Sequence, residues 1–177
     1  MTRPALILFL LVTALPVPAA ERLLDLQPGV PCAGISQIEQ GLGSIEITGS
    51  ADGGMEFRGV YAGREARIIY RCKESSLTEQ IIQIVISGRD QALGFAEQQK
   101  AELAGQLGDP IHDGLNLPVW RRLLFGILGG DLDYLMSVVV WGRADQDLML
   151  SVTAAGDDRW LITLSRGSSK LEYIINS

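Results

Sequence analysis

Asp90 to Leu107 (DQALGFAEQQKAELAGQL) is the stretch on which the fold turns. Leu93, Ala96, Leu103, Ala104 and Leu107 recur at helical spacing and mark one apolar face. Gln91, Glu97, Gln98 and Glu102 fall on other faces, as suits a helix lying against a sheet. Lys100 borders the apolar line and can lay its stem there with its charge in water. Ser87 or Asp90 can cap the start. Gly108 can take the residue after the last turn with a positive φ, and Pro110 forbids continuation.

Upstream of this helix the pattern changes to a period of two. Ser44 to Gly49 (SIEITG) alternates, and the alternation predicts Ile45 and Ile47 on the buried side. Asp52-Gly53, within Ser50 to Gly54, is a strong hairpin signal. Met55 to Tyr61 returns as a strand. Glu65 to Cys72 follows, with Ile68, Tyr70 and Cys72 on one face. Leu77 to Ser87 is the fourth strand, with Ile82, Ile84 and Ile86 facing the core. Before them, Glu21 to Val30 reads as an extended lead-in, and Ile35, Ile38 and Leu42 as a short helix opened by Pro31.

Downstream, Ile111 to Leu117 reads as a loop carrying His112 and Asp113. Pro118 to Leu128 (PVWRRLLFGIL) supports two readings. Trp120, Leu123, Leu124, Ile127 and Leu128 share a helical face, whereas Val119, Arg121, Leu123 and Phe125 alternate as a strand would; the helix is preferred. Asp131 to Tyr134 reads as a turn. Leu135 to Arg143 is rich in β-branched residues and reads as a strand. Leu148 to Ala154, Trp160 to Arg166 and Leu171 to Ile175 complete a meander. Trp141 and Trp160 are expected in the core.

These elements predict an α+β fold: antiparallel sheet, with one long and one or two short helices packed on one face. An echo runs through the chain. Gln37 to Gly43 and Glu102 to Gly108 each end a helix at Leu-Gly before hairpin strands. Two α-then-β half-units would explain it, and so would the frequency of Leu-Gly at helix ends.

Residues 1–19 stand apart. A basic start at Arg3, an apolar run from Ala5 to Leu15 and small residues up to Ala19 have the layout of a cleaved secretory signal peptide. Residues 20–177 are then one secreted or periplasmic domain. The run is shorter than the ~20 residues of a bilayer crossing, and no other long apolar run follows, so the mature chain is expected to be soluble and without a transmembrane segment. Cleavage would remove Arg3 and no acid, leaving the mature chain one unit more negative than the −6 of the full sequence. A basic nucleic-acid footprint is absent. Cys32 and Cys72 are the two cysteines, and in an oxidising compartment they predict one structural disulfide.

Chemistry-bearing motifs are sparse. His112 is the single histidine, which excludes a His-rich metal site. Gly-x-Ser-x-Gly and the glycine-rich phosphate loops are missing. Asp131 with Asp133, and Asp145 with Asp147, lack the further ligands of a calcium loop. No catalytic, metal or cofactor site is expected. Glu46, Glu56 and Glu65 fall on strands that can be neighbours, and a converging pair could work as acid and base. A place on the solvated side of the sheet explains them as well.

The remaining signal is a surface. Trp120, Arg121, Arg122, Leu124, Phe125 and Leu128 form the aromatic, aliphatic and arginine mixture of a binding hot spot. The expected function is a non-enzymatic module that meets another periplasmic or envelope protein, of inhibitor, immunity or assembly type. A carrier of a small apolar ligand or lipid, and a hydrolase using paired carboxylates, are the alternatives.

Overall fold

The computed structural model describes residues 23–47, 54–127, 132–143 and 146–167. The expected signal peptide (1–19), most of the Ser50 to Gly54 turn, Leu128, Asp131, Asp145, the 171–175 strand and the Phe125 side chain lie outside the described residues.

A mixed α+β fold is observed, and the sheet dominates it. Helix α1 (Ile35–Gly41) precedes β1 (Ile45–Glu46), β2 (Met55–Tyr61), β3 (Arg64–Lys73) and β4 (Ser76–Ser87). Helix α2 (Arg89–Leu107) precedes β5 (His112–Asp113), β6 (Val138–Arg143), β7 (Gln146–Ala154) and β8 (Arg159–Gly167). Among the described residues, eight strands form one antiparallel sheet in the order β1-β2-β3-β4-β8-β7-β6-β5. Each half is thus a helix followed by four strands, and the halves meet where β4 pairs with β8. The second half departs from the first by two helices between β5 and β6: α3 (Val119–Ile127) and α4 (Leu132–Ser137).

The strands form because their apolar residues alternate, and the register lines those residues up. Phe57, Ile68, Ile82, Leu164, Leu150 and Val139 are successive partners across six strands. All six are fully buried. Fully burying a side chain of this size stabilises by ~1.5–3 kcal/mol, so this row is the spine of the core. Ile84 and Ile86 extend it along β4. Ala92, Phe95, Ala96, Gln99 and Leu103 are the buried residues of α2, which contacts β4, β7 and β8.

Several expectations are corrected. Ile45 is exposed, because β1 is a two-residue edge strand that pairs it with exposed Arg58 rather than with the spine. Leu132 to Tyr134, expected in a turn, and the start of the Leu135 strand belong to α4 instead. Leu132 to Met136 contains no β-branched side chain, and the strand begins only where Val138, Val139 and Val140 do. His112 and Asp113 are not in a loop; they pair with Val140 and Val139. Gly88, with φ +84°, occupies the N-cap of α2, so neither Ser87 nor Asp90 caps it. Residues 23–25 are a helical turn rather than extended. Their form suits a buried partner: Arg166 donates to the carbonyls of Leu24 (2.7 Å) and Leu23 (3.3 Å). Trp141 is buried, its Nε1–H donating to the Gly108 carbonyl at 3.0 Å, whereas Trp160 is half-buried.

The disulfide Cys32–Cys72 is present, with a Cα–Cα distance of 6.4 Å. The chain just before it is already held in place. Gly29 N–H donates to the Leu77 carbonyl, Leu77 N–H to Val30, and Cys32 N–H to Ser75. The bridge therefore ties the lead-in of α1 to the far end of β3.

Candidate functional site

Helix α3 is built outward from α2. Lys100 does not reach into water as expected. Its ammonium lies 2.6 Å from Glu97 Oε2 and 3.1 Å from Asp113 Oδ2, and its side chain is only 12% exposed. Burial alone would pull the Lys100 pKa down, but its hydrogen bonds to Glu97 and Asp113 outweigh that and raise it. Asn116 joins the same group: its amide nitrogen donates to Glu97 (3.2 Å) and Asp113 (3.3 Å). Leu117 is then buried. Pro118 starts the helix by accepting from the N–H groups of Arg121 and Arg122. The root of α3 is thus pinned by three charges, an amide and one buried leucine.

Beyond that root the helix turns its apolar side outward. Val119 is 71% exposed, Trp120 61%, Leu123 64%, Leu124 49% and Ile127 82%. At 100° per residue these five positions fall within an arc of about 140°. Arg121 flanks the arc with its guanidinium 5.2 Å from the Trp120 ring centre. Arg122 turns away: it is half-buried, and its Nε donates to the Leu117 carbonyl at 2.9 Å. Among the described residues its principal contacts are with α4 rather than with the sheet.

The residues of the expected interface are placed differently from one another. Trp120, Arg121 and Leu124 are on the exposed side. Arg122 serves the backbone. Val119, Leu123 and Ile127 belong to the exposed arc although the hot-spot composition did not single them out. Leu123 and Ile127 already shared the helical face with Trp120 and Leu124, so the signal was the period; what periodicity cannot show is whether an apolar face points in or out.

The three strand carboxylates do not converge. Glu56 is shielded and paired with Arg67, at 2.6 Å (Nε to Oε1) and 2.7 Å (Nη2 to Oε2). Glu65 pairs with Arg58 at 3.4 Å, both side chains exposed. Glu46 is the partner of Phe57 in register, on the opposite face of the sheet from Glu56. Arg67 holds the Glu56 carboxyl below the ordinary carboxylate range, chiefly by its hydrogen bonds. That suits a fixed counter-ion better than a proton donor. Among the described residues, no group of three or more His, Cys, Asp or Glu is placed to hold a metal ion, and no helix is long and apolar enough to cross a membrane.

No family model, curated protein or solved structure matches the chain. What the site can do rests on its own geometry: a short, firmly rooted helix presenting five large apolar side chains to solvent.

Proposed function

We propose that the chain is a non-enzymatic binding module of the cell envelope that docks another envelope protein through α3. The observation that carries this is the spacing of the exposed side chains. Trp120, Leu123, Leu124 and Ile127 stand at i, i+3, i+4 and i+7, the anchor pattern of a helix laid into an apolar groove. Four large apolar residues exposed on one short helix are costly to leave in water and mark an interaction site. Arg121, stacked beside Trp120, meets an acidic rim on the partner.

A protein groove fits better than a lipid surface. Interfacial helices carry a polar face rich in Lys and Arg, whereas α3 offers Arg121 alone, Arg122 being engaged with Leu117. The chain as a whole is acidic, at −6, and is repelled by anionic headgroups. The disulfide and the signal-like residues 1–19 support an extracytoplasmic setting.

The test places a photoreactive residue at 123 or 127 in the host and identifies what it joins. That protein is then purified and titrated with the wild-type chain and with Ile127→Asp. Saturable binding, lost in the folded variant, is the expected result. Flotation of the wild-type chain with anionic vesicles, in the absence of any crosslinked protein, would replace the protein partner with a membrane.

A further inference from the structure

A cleft of about 460 Å³ opens between the start of α2, helix α4 and the ends of β7 and β8. It has no counterpart in the reading of α3 and stands independently of it. We infer that this cleft binds a single-chain amphiphile with one negative charge, of the medium-chain carboxylate class, with the alkyl chain inside and the head at Arg89.

The volume falls in the ~300–1,000 Å³ range of small-molecule sites. The walls include Leu93 on α2, Leu115 ahead of α3, Met136 on α4 and Trp160 on β8. Leu93, Leu115 and Trp160 pack against the core yet remain only partly buried. Among the described residues they are core surface left partly uncovered, and an alkyl chain completes its coverage. Met136 is flexible and polarisable enough to adapt to such a chain.

The charge requirement comes from Arg89. It is exposed, occupies the first position of α2 and holds its guanidinium 5.8 Å from the Trp160 ring centre. A cation in the first turn opposes the helix dipole, so the charge at this position is not explained by the helix end. Among the described residues it forms no ion pair. A carboxylate beside it would meet both the guanidinium and the positive end of a nineteen-residue helix. Asp133, on the first turn of α4, also lines the cleft. It repels a dianionic head more strongly than a monoanionic one, which favours the single charge.

Isothermal titration of the full folded protein with decanoate, below its micelle concentration, tests the site. One-to-one saturable binding is expected. Arg89→Gln should weaken decanoate by about tenfold or more while leaving decanol unchanged, so that the two ligands become similar. Met136→Trp fills the cleft and should abolish both. Ala154→Trp, on the exposed rim, provides the same block should the first variant unfold. The inference is overturned if decanoate does not saturate the wild-type protein, if both blocked variants that fold bind it normally, or if Arg89→Gln leaves decanoate and decanol distinguished as before.

Discussion

Tyr70 donates its hydroxyl to Glu39 Oε1 across 2.6 Å, and both residues are fully buried. Gln80 Nε2 donates to the same phenol oxygen at 3.2 Å. The contact joins α1 to β3 and β4 beneath the surface. A buried carboxylate depends on its donors. Tyr70→Phe removes one from Glu39 and should destabilise by about 1–3 kcal/mol in urea unfolding. Tyr70→Phe combined with Glu39→Gln should cost less than the sum of the two single changes by at least ~0.5 kcal/mol. Strict additivity would show that the contact carries no coupling.

Acid sensitivity should trace to Glu56. Its carboxyl is held below its ordinary value of 4.5 by Arg67. The unfolded chain therefore binds the proton more tightly than the folded one. The stabilisation is complete above the ordinary value and is lost as pH falls through the lowered one. Arg67 is half-exposed, which limits the gain to about 1 kcal/mol. The melting temperature of Glu56→Gln should lie below that of the wild type by a constant margin from neutral pH down to about pH 5.5, and the margin should close below about pH 4.5.

Reduction should cost more than any single surface change. The Cys32–Cys72 bridge closes 40 residues of separation, which chain entropy values at ~3–4 kcal/mol. Unfolding midpoints of the wild type with and without reductant, compared with the Cys32→Ser/Cys72→Ser protein, measure it. The double variant should match the reduced wild type and ignore reductant.

Charging α3 should leave the fold intact. Leu123 and Ile127 are 64% and 82% exposed, so Leu123→Asp and Ile127→Asp should each change stability by no more than ~0.5 kcal/mol. Both should also lower any self-association seen by sedimentation at high concentration. A loss above ~2 kcal/mol would mean that these side chains are packed, and α3 would no longer qualify as a docking element.

The chain's own pattern reveals the sheet interior well. Ile82, Ile84 and Ile86 on β4 and the extent of α2 follow from period and turn residues, because a strand buried on one face must alternate and a helix must recur. The edges were harder to read. Ile45 alternates like a core strand, but with two paired residues β1 has too little register to impose a side. Sequence alternation also allows Glu56 a solvated place, because strand position says nothing of the arginine opposite; only the β2–β3 register brings Arg67 near it. Lys100 is similar: Asp113 lies thirteen residues away, on a strand too short for any period to announce. For α3 the periodicity identified the helix, while its outward face depends on α4 and the loop from Asp113 to Leu117. Such tertiary facts leave no mark on local spacing.

The central pairing of β4 with β8 has a consequence for how the chain acquires its shape. Glu79 meets Gly167 and Ser87 meets Arg159, residues about 70–90 positions apart. Synthesis from the amino end completes α1 and β1 to β4 while β8, the second neighbour of β4, is still unmade. One long edge, carrying Ile81, Ile82, Ile84 and Ile86, must wait open until the eighth strand arrives. Ring-closing contacts of this span are slow to form, and an open apolar edge invites the wrong strand. The vulnerable species in this protein's life is therefore its first half alone, and the yield of folded chains should fall with the crowding of nascent ones.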